Sequence, residues 1–181
     1  MNGAFVGSRS FNQPIANWDT SGVTDMQAMF GYTDAFNQPI GTWDTSNVRN
    51  MQGMFQLAYA FNRPIGDWDT SGATNMEAMF NCAVFNQPIA NWDTSNITNM
   101  FAAFGSARSF NQPIADWDTS GVTNMLGMFQ YANAFNQNLC RWGEYYNSSD
   151  VNYSNMFRGT SCPSKDDPTS AAGPWCALVA N

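Results

Sequence analysis

The sequence predicts an α/β repeat solenoid, a stack of about six 25-residue turns closed by a disulfide-bearing C-terminal cap. Three observations carry this. Phenylalanine recurs at Phe11, Phe36, Phe61, Phe85, Phe110 and Phe135, in steps of 25, 25, 24, 25 and 25 residues. The first five open one phrase, read most clearly in Phe110-Asn111-Gln112-Pro113-Ile114-Ala115-Asp116-Trp117-Asp118-Thr119-Ser120-Gly121-Val122-Thr123-Asn124-Met125. Three of the four cysteines lie beyond that array, at Cys140, Cys162 and Cys176. A unit this short cannot bury its apolar face alone, so it stacks on its neighbours and shares a core along the axis.

In chain order, residues 1–10 read as a partial first repeat, because Met1 and Phe5 precede Phe11 as Met26 and Phe30 precede Phe36. The chain as given therefore starts mid-turn, which implies either a trimmed longer protein or an uncovered first turn. Residues 11–134 hold five repeats. In each, a segment such as Ile15–Thr20 reads as a strand of about three or four residues, with Trp18 and Thr20 on one side and Asp19 on the other. Pro14, with fixed φ and no donor, belongs in the turn before it. Val23, Met26, Met29 and Phe30 fall at helical spacing, so each repeat is expected to end in a short helix with Ser21 or Thr24 at its start. Residues 135–157 form a degenerate last repeat that loses the Pro and the Asp-Thr-Ser and carries an insertion over Glu144–Ser149. Residues 158–181, rich in Ser, Asp, Pro and Gly, read as the cap.

Stacking turns each repeat position into a column. Trp18, Trp43, Trp68, Trp92 and Trp117 form one, extended by Trp142; Ile15, Ile40, Ile65, Ile89 and Ile114 form another, extended by Leu139. Asn12, Asn37, Asn62, Asn86, Asn111 and Asn136 are expected to satisfy one another and the turn backbone as a ladder.

Composition excludes several functions. The chain carries 7 Lys plus Arg against 14 Asp plus Glu, for a net charge of −7, and has no histidine. No basic cluster is present to neutralise a run of phosphates, so no nucleic-acid partner is expected. No apolar run approaches the roughly 20 residues of a membrane span, so no membrane insertion is expected of this chain, and no leader is seen. Catalysis has no histidine and no unique nucleophile, and repetition makes identical sites where an active site needs one special place; neither an enzyme nor a bound cofactor is expected.

Two columns nevertheless suggest chemistry. Asp19, Asp44, Asp69, Asp93 and Asp118 would set five carboxylates about 5 Å apart. Such hard oxygens suit Ca²⁺, with Asp67 and Asp116 nearby, but an Asp in an Asp-Thr-Ser turn also accepts backbone N–H groups locally, and that is the favoured reading. Thr20, Thr45, Thr70, Thr94 and Thr119 resemble the regular arrays of ice-binding solenoids, yet they share the inward side with the Trp column. Contacts to other molecules are expected where the copies differ: at Phe101 and Leu126 after the repeat Met, and at Tyr32, Leu57 and Tyr131 after the repeat Phe.

Cysteines clustered in the cap imply a disulfide and an oxidising compartment. The Cys140–Cys162 pairing is disfavoured because the two fall across a turn from each other, so Cys176 is expected to bond either Cys140 or Cys162. Zinc is not expected, for want of histidine and close spacing. Asn147, Asn152 and Asn96 begin Asn-x-Ser/Thr sequons, Asn147 being the best acceptor because it lies in the insertion.

Written out, Phe-Asn-Gln-Pro-Ile-x-x-Trp-Asp-Thr-Ser-x-Val-Thr-x-Met-x-x-Met-Phe resembles the BspA-like leucine-rich repeat surface proteins, the group catalogued as domain of unknown function 285. The match spans residues 1 to about 157. The ending, from Phe135-Asn136-Gln137-Asn138-Leu139-Cys140-Arg141-Trp142-Gly143 to Gly173-Pro174-Trp175-Cys176, resembles the terminal cap of members from unicellular algae such as diatoms. The resemblance implies a leucine-rich-repeat-like right-handed solenoid, exported and displayed at a cell surface, with adhesion to protein or glycan as its role and no catalytic residues. Two further readings stand beside adhesion: a structural subunit of an extracellular fibre or cell covering, self-associating through the first turn, and an ice-binding solenoid.

Overall fold

The computed structural model describes residues 1–177. Successive copies lie on one another and are joined residue by residue. Thr20 Oγ1 donates to the Asp44 carbonyl one copy on, and Thr45, Thr70 and Thr94 repeat the bond to Asp69, Asp93 and Asp118 at 2.8–2.9 Å. Trp43, Trp68, Trp92 and Trp117 each donate Nε1 to the Ile carbonyl one copy back, at 3.0–3.1 Å. The Asn ladder runs through the backbone: each side-chain oxygen accepts the N–H of the next Asn, from Asn12–Asn37 to Asn111–Asn136. Polar residues of the repeat thus spend their hydrogen bonds on their neighbours, which removes the cost of burying them.

The core between these ladders is aromatic and sulfur-rich. Phe30 and Phe36 stack at 3.8 Å, and the pattern repeats at Phe55–Phe61, Phe80–Phe85, Phe104–Phe110 and Phe129–Phe135. Met26, Met29, Met51, Met54 and their counterparts fill the remaining space and are buried. No helix of the described residues is long and apolar enough to cross a membrane.

The repeat ends differ from the expected helix. Among the described residues the helical element is a single 3-10 turn, Cys140–Tyr145, labelled η1 here. The Met26–Tyr32 stretch and its copies are instead runs of tight turns in which peptide groups alternate in direction. Met26, Ala28, Phe30 and Tyr32 donate their N–H to carbonyls of Asn50, Gln52, Met54 and Gln56 on the next copy, while Met29 and Gly31 close turns onto Met26 and Ala28. An α-helix needs every residue right-handed and every N–H turned inward. Here Gly3, Ala28, Gly53, Ala78, Ala102 and Gly127 all have φ between +48° and +60°. Met at three-residue spacing still faces inward because successive three-bond turns bring side chains round nearly as a helix does.

The strand expected over Ile15–Thr20 is likewise not formed. Parallel pairing falls ten residues later than its start, one residue per copy, in the chain Asp25–Asn50–Asn75–Asn99–Asn124–Asn152. Each side-chain oxygen in Asp25, Asn50, Asn75, Asn99 and Asn124 accepts the N–H two residues on, which holds the turn that follows.

Within the Met26–Tyr32 run and its copies the inter-copy N–H groups all point toward the C-terminal end. The last copy therefore presents N–H groups with no further copy to receive them. Asp167 meets one of them: its carboxylate accepts from Asn155 at 2.9 Å, and also from Met156, whose N–H closes a turn onto Tyr153. The Cys162–Cys176 disulfide fastens the tail that carries Asp167 back over the last turn, and Trp175 is buried beneath it. Cys82 and Cys140 are free thiols. Residues 178–181, the end of the segment read as cap, lie outside the described residues.

Candidate interaction surface

The Asp column resolves into separate local turns. Asp19 Oδ1 accepts from the Ser21 hydroxyl at 2.7 Å and its N–H at 3.0 Å, and Asp44, Asp69 and Asp93 do the same with Ser46, Ser71 and Ser95. Asp118 accepts the Ser120 N–H. The serine hydroxyl, and then its N–H, holds the Asp19, Asp44, Asp69 and Asp93 carboxyls below the usual carboxylate range. Among the described residues no three Asp, Glu, Cys or His side chains converge to hold a metal ion; the five carboxylates considered for Ca²⁺ each serve their own turn.

Thr20, Thr45, Thr70, Thr94 and Thr119 are buried. The residues that suggested an ice-binding array therefore present no flat surface to ice.

The variable residues divide into two columns. Tyr32, Leu57 and Tyr131 share one with Cys82 and Ser106, all at positive φ with their N–H groups donated to the next copy. Phe101 and Leu126 lie in the other, where Asn99 and Asn124 accept their N–H groups. Tyr32 and Tyr131 are exposed, whereas Leu57, Phe101 and Leu126 are half-buried. Arg158 stands over the Tyr131 ring at 5.6 Å.

All three sequon asparagines are exposed. Asn96 Nδ2 donates to the Ser71 carbonyl and Asn147 Nδ2 to Asp150, while the Asn152 amide nitrogen makes no hydrogen bond among the described residues. The geometry thus leaves Asn152 freer for modification than Asn147.

One surface feature was not evident from the repeat phrase. In the 25-residue copies two residues link a buried alanine, or Thr33 in the first, to the next Phe, as Tyr59-Ala60 do between Ala58 and Phe61 and Arg108-Ser109 between Ala107 and Phe110. In the 24-residue copy Val84 alone links Ala83 to Phe85. Ala58, Ala83 and Ala107 are equivalent, each donating its N–H to the Phe three residues earlier. No backbone hydrogen bond among the described residues joins Val84 to Tyr59 or Ala60, or to Arg108 or Ser109. At the same corner elsewhere, the Ala35 N–H donates to the Arg9 carbonyl and the Ala134 N–H to the Arg108 carbonyl, while among the described residues Asp34-Ala35 and Tyr59-Ala60 are likewise not joined. A cavity of about 420 Å³ opens over Val84, between Tyr59 and Arg108, and Cys82, Ser106 and Ser109 border it. The step of 24 residues from Phe61 to Phe85 was its signal in the sequence.

The family model described as "Mycoplasma protein of unknown function, DUF285" matches residues 1–84 and 64–169. No curated protein and no solved structure matches the chain.

Proposed function

The chain belongs to the DUF285 family, and from that premise we propose that it is a non-catalytic, exported repeat protein whose exposed positions bind protein or glycan at a cell surface or in a matrix. The finer kinship is with the BspA-like leucine-rich repeat surface proteins, and the architecture is a right-handed solenoid capped in the manner of algal members. One observation carries the reading: the repeated polar residues are committed to hydrogen bonds within the stack. The Asn, Trp and Thr ladders bind neighbouring copies and each Asp binds its own Ser. What faces outward free of those duties is what differs between copies, including Tyr32, Tyr59 and Tyr131. A Cys162–Cys176 bond in the cap supports an oxidising, extracellular setting.

Labelled protein layered on immobilised matrix proteins, mucin and whole cells should bind saturably. A double variant, Tyr32→Ser with Tyr131→Ser, should bind less while melting at the same temperature. Absence of saturable binding on every surface would sink the adhesive role.

A second reading, a subunit of an extracellular fibre, draws on the first turn. Trp18 is 41% exposed where Trp43 is 4% exposed, and Phe5 and Phe11 are only partly covered. That face accepts one more turn, from a preceding repeat or a second copy. Sedimentation across a concentration series separates the two readings, since a species monomeric throughout contradicts fibre assembly.

A further inference from the structure

We propose that the slot over Val84 is a binding site for a carboxylated sugar, with Arg108 holding the carboxylate and Tyr59 stacking on the pyranose face. It rests on the reading of the chain as a binding surface and names one of its ligands.

The slot is a consequence of the missing residue. Copies stack about 5 Å apart, so Tyr59 and Arg108, one copy to either side of Val84, stand about 10 Å apart at the backbone. That gap accepts one saturated ring between an aromatic plane and a guanidinium. Its volume, about 420 Å³, lies in the range of small-ligand sites. The floor, Ala83 and Val84, is apolar, and Val84 is 37% exposed.

Charge selects the ligand class. The protein is net −7, yet the slot lining contains no carboxylate and a single cation, Arg108. The other arginines are occupied. Arg9 pairs with Asp34, Arg141 with Asp116, Arg49 and Arg63 donate to carbonyls, and Arg158 lies over Tyr131. Arg108 holds the position of Arg9, but the residue one copy on is Asn133 in place of Asp34, so among the described residues its guanidinium has no hydrogen bond or ion pair. A guanidinium presents two parallel N–H groups that match a carboxylate. Tyr59, 52% exposed, offers an aromatic face, and Ser106 and Ser109 add hydroxyls suited to ring oxygens. An acidic peptide would need more than one cation along its length. A second cavity of about 420 Å³, around Arg49, lacks this character: Arg49 donates to the Ser46 carbonyl and lies close enough to Asp69 to lower its carboxyl.

Titration calorimetry on the full chain tests the site with three probes: a glucuronic-acid-terminated disaccharide, its neutral glucose counterpart and a tetraglutamate peptide. The uronate should bind about tenfold or more tighter than the neutral sugar and the peptide, in line with a charge-assisted hydrogen bond. Arg108→Ala should remove that margin and Arg108→Lys restore part of it. A one-residue alanine insertion between Ala83 and Val84, which restores the 25-residue step, should close the slot and abolish binding with no loss of melting temperature. Equal affinity for charged and neutral sugars, equal affinity for the peptide, binding unchanged in Arg108→Ala, or no uronate binding at all would each overturn the proposal. Its failure is separable from failure of the adhesive role: saturable adhesion that Arg108→Ala leaves intact removes the slot and keeps the surface, and uronate binding without adhesion does the reverse.

Discussion

Between Met51 and Leu57 every outward N–H finds a carbonyl on the next copy, whereas at Asn155 the partner is a carboxylate on the tail. The two regions solve one problem. A run of turns whose inter-copy N–H groups point one way leaves N–H groups open at the end of the stack, like the first turn of a helix. Inside, another copy supplies the acceptors; at the end, Asp167 does so for Asn155, with a negative charge as well. Trp142 shows what the ending costs. Trp117 donates Nε1 to Ile89, but Trp142, carried on η1, keeps its ring against Phe129 at 6.3 Å and leaves Nε1 buried without a partner among the described residues. Stopping the stack thus needs a staple, a carboxylate and one sacrificed hydrogen bond.

The difference can be stressed from both sides. Trp92 stacks between Trp68 and Trp117 at 6.4 and 6.3 Å and donates to Ile65, so Trp92→Ala should cost about 3–5 kcal/mol in a denaturant melt. Trp18→Ala, on the open first turn, should cost far less. Removing the staple with Cys162→Ser and Cys176→Ser opens a loop of 14 residues and should cost about 3 kcal/mol, with amide exchange rising first around Asn155. Asp167→Asn keeps the shape and loses the charge; about 1–2 kcal/mol is expected, as for a lost helix cap.

The smallest effect is on acid stability. Asp19, Asp44, Asp69 and Asp93 titrate below their unfolded value, so they stabilise the fold above about pH 3.9 and lose that contribution as pH falls through the lower folded value. These carboxylates are exposed, so the melting temperature should hold from neutrality to about pH 4 and drop modestly below it. Asn at all four positions should flatten that drop.

The columns were legible in the sequence because a fixed period converts position into contact: Trp, Ile and Thr could be placed inside, and Asn in a ladder that stays at the surface, without knowing the turn that carries them. Local conformation was not. Val23, Met26, Met29 and Phe30 fit a helical face, and consecutive tight turns satisfy the same spacing. The cue was the restriction of one position to Gly or Ala, at Gly3, Ala28, Gly53, Ala78, Ala102 and Gly127, residues small enough for a left-handed φ. Asp167 lay hidden for a different reason: it caps backbone groups whose direction is set only once the whole stack exists. The slot depended on a deletion, which reads as noise in a repeat until the cavity over Val84 is seen.

The alternating peptide run is the claim on which both regions depend, and its most direct test is the double variant Ala78→Gly with Ala102→Gly. In a helix each change would cost about 1 kcal/mol. At φ +51° and +48° the left-handed penalty that alanine bears is relieved by about as much as glycine loses in chain entropy. The melt should therefore show stability unchanged or raised. A loss of about 2 kcal/mol for the pair would restore the helix and contradict the account.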